Sequence, residues 1–188
     1  MIRRTFLSLS MILPAGAAFA QGAGGSDLFG QKPIVKAVIE GDEEKVRQAL
    51  LKNENPNQTG NNGTPLIIIA VQSGNIAMVE TLLKGGAIVD SVDREGYTAL
   101  LRATEKGDVD IVDILLKRNA KPNAQTRQGL TSLMIAARLG HAEIIKLLLD
   151  KKANPNTPDF TGRTALTYAK QGNRSTIEAM LRRAGGKE

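Results

Sequence analysis

The sequence repeats itself with a period of 33 residues, and this periodicity limits the folds that are open to the chain. Leucines, a proline or valine before a turn, and an asparagine or aspartate recur at this spacing. They are Leu82, Leu115, Leu148 and Leu181; Pro56, Val89, Pro122 and Pro155; and Asn57, Asp90, Asn123 and Asn156. A unit of this length cannot bury a core by itself, so neighbouring units must stack and bury it between them. The period therefore predicts a linear array of similar units.

Each unit contains two apolar-periodic segments separated by a glycine. The first segments begin at a threonine and read TPLIIIAVQSG, TALLRATEKG, TSLMIAARLG and TALTYAKQG. Threonine caps the first turn of a helix, and Gly74, Gly107 and Gly140 supply the positive φ that ends one. The second segments pair residues such as Val112 and Leu115, which is the spacing of one buried helical face. Each unit is therefore predicted to be a helix-turn-helix.

These units resemble the ankyrin repeat, and the copy with Leu133, Ala136, Ala137, Gly140 and His141 matches its pattern in most positions. The resemblance implies an all-α ankyrin-repeat solenoid of helix-turn-helix units with short β-hairpin fingers. About five repeats are expected, including an N-terminal and a C-terminal cap. They are a capping repeat at 28–57, full repeats at 58–90, 91–123 and 124–156, and a capping repeat at 157–186.

The spacing of the threonines departs from the period in one unit. Thr64 and Thr98 are 34 residues apart, whereas the later threonines follow at 33. We interpret this as a residue missing before Thr64 and an extra isoleucine before Ala70, which predicts a local bulge near Ile67–Ile69. The last unit has its glycine one position early, at Gly172, and ends without the usual continuation, as a terminal cap should.

Residues 1–20 have the pattern of an export signal peptide. Arg3 and Arg4 precede a short apolar run, and small residues follow to the expected cleavage site after Ala20. The arginine pair leaves the general and twin-arginine routes both open. A flexible glycine-rich segment is expected at 21–27, before the repeat domain at 28–186. The chain has no cysteine, which excludes a lipid anchor and disulfides. The mature chain is expected in the periplasm without a membrane anchor, and secretion is the alternative.

No pattern of catalytic or metal-binding residues is present. His141 is the only histidine, and no cysteine accompanies it, so a metal ligand set cannot be completed around it. Asp108, Asp110 and Asp113 lack the glycine and distal glutamate of a calcium loop and are interpreted as surface acids at a helix start. The formal charge of +6 comes from interleaved charges, which argues against nucleic-acid binding. The sequence predicts a non-enzymatic protein without a cofactor or metal.

The resemblance places the partner-binding positions on the fingertips and on the exposed ends of the first helices. The expected site residues are Arg94, Tyr97, Glu105, Lys106, Arg127, Leu130, Arg138, Leu139, Phe160 and Arg163. Tyr97 and Phe160 are expected to face solvent and to form an apolar strip with Leu130 and Leu139, rimmed by arginines as interface hot spots often are. In the alternative interpretation, Tyr97 and Phe160 only pack against adjacent fingers. Tyr168 is assigned to the core of the last repeat.

Three functional hypotheses follow. The first is a scaffold outside the cytoplasm that binds a partner protein through fingertips and the concave helix face. The second is a secreted, host-directed ankyrin effector, and the third is an accessory or protective factor for one exported enzyme. The free chain is expected to be monomeric, and the sequence does not identify the partner.

Overall fold

The computed structural model of the protein describes residues 32–187, and ten helices in five pairs form this part of the chain. The pairs are α1 (Pro33–Glu40) with α2 (Glu43–Leu51), α3 (Leu66–Ser73) with α4 (Ile76–Lys84), α5 (Ala99–Lys106) with α6 (Val109–Lys117), α7 (Ser132–Leu139) with α8 (Ala142–Asp150), and α9 (Ala165–Gln171) with α10 (Ser175–Arg183). The expected all-α solenoid of helix pairs is confirmed. Within 32–187 no helix is long and apolar enough to cross a membrane. The predicted export signal and segment 21–27 lie outside the described residues.

The turn inside each pair requires one residue in the left-handed region. Gly107 and Gly140 end α5 and α7 with φ of 80° and 87°, values that a side chain rarely adopts. In the last pair, Gly172 has a φ of −83° and Asn173 has the positive φ, 53°. Asn173 stands one period after Gly140, so the turn keeps its place and asparagine, which tolerates this conformation, replaces glycine there.

The predicted bulge near Ile67–Ile69 is wrong, because α3 runs without interruption and has eight residues, like α5 and α7. Pro65 stands at the N-cap of α3, in the position that Thr98 has at α5. Thr64 therefore aligns with Tyr97 and not with the later threonines. The period of 33 is kept throughout, and the irregular threonine spacing reflects the different chemistry of one cap.

The predicted threonine caps hold for the two central units. The hydroxyls of Thr98 and Thr131 accept the backbone amides of the third helical residue at 3.3 Å. Pro65 has no side-chain oxygen, so α3 has no such cap. Thr164 precedes α9, but its hydroxyl donates to the carbonyl of Lys187 at 2.8 Å instead of capping the helix. This bond ties the end of the chain to the last finger.

The core is a strip of aliphatic side chains along the stack. The first helices of the pairs pack side by side in one layer, and the second helices of the first four pairs pack in another. The same position of every first helix holds a buried alanine: Ala37, Ala70, Ala103, Ala136 and Ala169. Because alanine is small, adjacent first helices can approach closely and the core needs no large rings. The periodic Leu82, Leu115, Leu148 and Leu181 are fully buried in the second layer.

Short fingers connect consecutive pairs and carry isolated antiparallel bridges, as expected for β-hairpins. The fingers are residues 58–65, 91–98, 124–131 and 157–164, termed fingers 1 to 4, and the bridges in the first three join Thr59 to Pro65, Val92 to Thr98 and Gln125 to Thr131. A ladder of hydrogen bonds also joins the repeats. In each bond, the periodic asparagine or aspartate side chain accepts a backbone amide from the repeat that follows. Its bonds run from Ile88 to Asn57, Lys121 to Asp90, Asn154 to Asn123 and Lys187 to Asn156, at 2.7–3.0 Å. The fingers are therefore held on a hydrogen-bonded frame.

Candidate functional site

The uninterrupted period gives each candidate residue a position in its finger. The tip row is Asn61, Arg94, Arg127 and Phe160, and the base row is Thr64, Tyr97, Leu130 and Arg163. Phe160 thus takes the place of two arginines, whereas Tyr97 and Leu130 share a different position. Leu139 lies apart from both rows, at the end of α7. The predicted apolar strip is therefore not one row but three separate positions.

Tyr97 is half-buried at the base of finger 2. The guanidinium carbon of Arg102 lies 3.8 Å from the centroid of the Tyr97 ring, a cation–π contact. Burial raises the pKa of the Tyr97 hydroxyl above its usual value, and the charge of Glu105 adds to this effect. The expectation that Tyr97 faces solvent is wrong, and the ring packs against Arg102 of the helix that follows its own finger. Leu130, also half-buried, packs against the hydrophobic core.

Arg102 holds three carboxylates beside that ring. Its guanidinium donates to Asp93 at 2.7 Å, to Glu95 at 2.6 Å and to Glu105 at 3.1 Å. The other oxygen of Asp93 accepts the backbone amides of Glu95 and Tyr97, each at 2.9 Å. The buried charge of Asp93 is thus compensated by a cation and by turn amides. Glu105, a candidate binding residue, is already engaged within the protein.

Finger 4 contains a corresponding buried carboxylate, Asp159. One oxygen accepts the amides of Thr161 and Arg163 at 2.8 Å and 2.9 Å, and the other accepts the Tyr168 hydroxyl at 2.7 Å and Arg163 Nε at 3.1 Å. Burial alone would raise the pKa of Asp159, but the hydrogen bonds from Thr161, Arg163 and Tyr168 outweigh it and hold the pKa well below its usual range. The assignment of Tyr168 to the core is confirmed, since 5% of the residue is exposed.

The acids of fingers 2 and 4 use the same two partner types in exchanged positions. At the fourth residue after the acid stand Tyr97 and Arg163, and at the ninth stand Arg102 and Tyr168. Finger 3 has Thr126 in place of the acid, and its hydroxyl accepts the amides of Gln128 and Leu130 at 3.2 Å each. In fingers 2 and 4 these three positions therefore stabilise the finger, and in finger 3 the threonine alone orders the same turn amides.

The residues of the tip row are exposed, whereas those of the base row are buried or half-buried. Phe160 is 74% exposed, in agreement with the prediction that it faces solvent. One edge of its ring meets Gly129 of finger 3, where an added Cβ would lie 2.8 Å from Phe160 Cδ1. The Phe160 amide also donates to the Gln128 carbonyl at 3.3 Å. Phe160 is thus positioned by its neighbour while most of its ring remains open.

The end of α5 is polar and internally paired. The ammonium group of Lys106 donates to the carbonyl of Gln72 in the preceding repeat at 3.3 Å and lies 3.3 Å from the carboxylate of Asp108. Asp108 stands at the N-cap of α6 without capping it and is a partly exposed acid at a helix start, as predicted. Lys106 therefore joins adjacent repeats, and Asp108 partly neutralises its charge.

The end of α7 is different, because its cation is not paired. Arg138 and Leu139 are both exposed, and Arg138 has no carboxylate partner within residues 32–187. Burial raises the pKa values of Tyr97 and Tyr168, and the charge of Arg138 opposes this rise at both hydroxyls. Arg174 lies across the glycine that ends α7. Arg138 is therefore a free charge on the side of the first helices between two structured clusters.

His141 does not form part of a reactive group. Its ring lies against Gly107, where an added Cβ would be 2.9 Å from the ring, which is a packing contact between repeats. Its Nε2 is buried without a hydrogen-bond partner in the described part of the chain. Within 32–187, no cluster of three or more histidine, aspartate or glutamate side chains is arranged to hold a metal ion.

Sequence reasoning did not identify Asp93, Arg102 or Asp159, although these residues order the fingers. A signal was available, because Asp93 and Asp159 stand two periods apart and Thr126, another side-chain acceptor, stands between them. Thr98, Thr131 and Thr164 keep the same distance from this row, so their alignment shows it as well, whereas Thr64 is out of register in the first finger only.

The family model described as Ankyrin repeats (3 copies) matches residues 29–126 and 119–187. The two matched segments overlap and include all ten described helices. No match was found among curated proteins. Ankyrin repeats are protein–protein interaction modules, and proteins built from them are ordinarily non-enzymatic scaffolds.

Proposed function

Because this chain belongs to the ankyrin repeat family, we propose that it is a non-enzymatic scaffold that binds one partner protein through its fingertips and the exposed ends of its first helices. The observation that carries the proposal is the fingertip Phe160, which is 74% exposed and yet fixed against finger 3. A large apolar ring held open to solvent contributes little to folding but is well suited to contact a partner.

The frame beneath the fingers favours binding. The buried acids and the periodic side-chain ladder fix the finger backbones before any partner arrives. A surface that is already ordered loses little conformational entropy on association. The tip residues Arg94, Arg127 and Phe160 and the helix-end residues Arg138 and Leu139 can therefore use their contacts for affinity.

The proposed place of action is outside the cytoplasm. Residues 1–20 have the charged start, apolar stretch and small-residue end of a cleavable export signal. The periplasm is the favoured compartment, and the same signal is compatible with a secreted host-directed effector. A third possibility within the same class is an accessory factor that protects one exported enzyme. N-terminal sequencing of the chain recovered from periplasm and from culture fluid separates the periplasmic from the secreted case, and an uncleaved cytoplasmic chain would refute the proposed export.

Affinity capture with the full chain, tagged at its C-terminus and expressed in a bacterial host, tests the scaffold role. Phe160→Ala combined with Arg127→Ala should abolish capture of a partner that the unchanged chain retains, while the thermal midpoint moves little. Leu51→Ala is the matched control, since Leu51 is 79% exposed on a second helix, away from the fingers. Equal capture by the fingertip variant would place the binding surface elsewhere, and capture of nothing by the unchanged chain would count against the scaffold role.

A further inference from the structure

Charge is distributed unevenly along the side of the stack that carries the fingers and first helices. In the segment 58–75, which contains finger 1 and α3, there is no charged residue. The segment 91–108 has four acids and three cations, whereas 124–141 has two cations and no acid. The segment 157–174 has three cations and one acid, the buried Asp159. The C-terminal half of this side is therefore basic, although the charges of the whole chain are interleaved.

Apart from Arg94 at the tip of finger 2, the cations of segment 91–108 are used within the protein. Arg102 is hydrogen-bonded to three carboxylates, and Lys106 is paired with Asp108. Arg163, in finger 4, is paired with the buried Asp159. These groups stabilise the fold and offer little net charge to a partner.

Three exposed arginines of the basic half have no such partner. Arg127, Arg138 and Arg174 are all exposed, and none of them pairs with a carboxylate within residues 32–187. Each lies where the fold positions it. The side chain of Arg127 runs along Gly96 of finger 2, and the guanidinium of Arg174 lies over the glycine that ends α7.

Apolar side chains accompany these arginines. Phe160 lies against the tip of finger 3, which also carries Arg127, and Leu139 directly follows Arg138. Leu139 is 38% exposed. An exposed guanidinium beside an exposed apolar group matches a ligand that presents carboxylates next to apolar side chains, because arginine binds carboxylates with paired N–H donors.

We propose that the partner binds through an acidic segment with interspersed apolar residues, and that this segment lies across fingers 3 and 4 and the ends of α7 and α9. Its carboxylates bind Arg127, Arg138 and Arg174, and its apolar residues contact Phe160 and Leu139. The inference rests on the proposed function and adds the chemical class of the partner segment.

Fluorescence anisotropy with defined peptides tests this inference on the full chain. The probe is a labelled peptide of repeated Glu-Glu-Leu triplets, and its control replaces every glutamate by glutamine. The acidic probe should bind at low salt and weaken as salt is added, because exposed charges are screened. The triple variant Arg127→Gln, Arg138→Gln, Arg174→Gln should weaken binding by about tenfold or more.

The matched control removes the same charge from another part of the surface. Arg118, Lys121 and Lys151 are exposed on segments that follow second helices, and their triple exchange to glutamine should leave binding of the probe nearly unchanged. Equal weakening by both triple variants would refute the inference, because net charge alone would explain it. The inference would also be refuted if the glutamine peptide, or a single-stranded DNA of matched charge, bound as tightly as the acidic peptide. It would equally be refuted if the acidic peptide did not bind. If the arginine variant still captures the cellular partner, the scaffold role stands and the acidic segment is wrong.

Discussion

Exchanging Asp159 for asparagine removes one buried charge from finger 4 and keeps the size of the side chain. One oxygen of Asp159 accepts turn amides of Thr161 and Arg163, and the other accepts the Tyr168 hydroxyl and Arg163 Nε. An asparagine can keep the first set but must turn its NH₂ group toward the second, where the Tyr168 hydroxyl must reverse its hydrogen bond and Arg163 Nε can only donate. Because one of these donors is charged and the site is buried, we expect Asp159→Asn to lower the free energy of unfolding by about 3–5 kcal/mol.

Urea denaturation followed by circular dichroism at a series of pH values measures this loss and its origin. A carboxyl whose pKa is lowered by folding stabilises the protein at pH values above its unfolded pKa, which is about 3.9. That stabilisation is lost as the pH falls from there toward the folded pKa. The difference between the unchanged chain and Asp159→Asn should therefore be constant from about pH 7 to 5 and shrink below about pH 4.

Two further variants separate the buried site from a general effect of charge. Tyr168→Phe removes one donor and should cost about 1–2 kcal/mol. Asp108→Asn breaks the partly exposed pair with Lys106 and should cost less than about 1 kcal/mol. The reasoning is refuted if Asp159→Asn lies within about 1 kcal/mol of the unchanged chain, or if its effect does not decrease in acid.

Two other exchanges test the turn and the finger base. Lys152 has a φ of 61°, in a position where other repeats use glycine or asparagine, so Lys152→Gly should stabilise the chain by about 1 kcal/mol in urea denaturation. Lys151→Gly, at a residue with a φ of −90°, should give no gain, and a loss of stability in Lys152→Gly would contradict the explanation. Arg102→Gln should lower the free energy of unfolding by about 3 kcal/mol, because it leaves the carboxylate of Asp93 buried without its cation. A thermal midpoint unchanged from that of the parent would rule this out.

The helix pairs could be predicted from the sequence because their signals are local and recur. A glycine in the left-handed region and an apolar face at helical spacing lie within a few residues of each other, as at Gly107 with Val112 and Leu115. Repetition at 33 residues then distinguishes these signals from chance. The error at Thr64 has a physical cause as well. A helix start accepts several residue types, so the identity of a cap is a poorer marker of register than a turn that requires positive φ.

The candidate site was harder to predict because its contacts join residues from different elements. Tyr97 is half-buried because Arg102, on the following helix, covers its ring, and a linear pattern of exposed finger positions does not contain that contact. Glu105 was expected at the surface for a partner, yet the same arginine already binds it. The exposure of Phe160 was predicted correctly, since the ring is 74% exposed at its tip position.

These contacts distinguish the finger positions whose side chains stabilise the fold from the tip position, whose side chain does not. The acid or hydroxyl at 93, 126 or 159 and the residues four and nine positions later stabilise the turn. Tyrosine and arginine occupy the latter two positions in opposite order in fingers 2 and 4, and they contact each other in both arrangements. The residue directly after the acid or hydroxyl has no such duty, since the side chains of Arg94, Arg127 and Phe160 accept or donate no hydrogen bond within the described residues. A change there costs the fold little, so this row can vary with the partner, and the exchange of arginine for phenylalanine in finger 4 is the kind of variation that recognition would select.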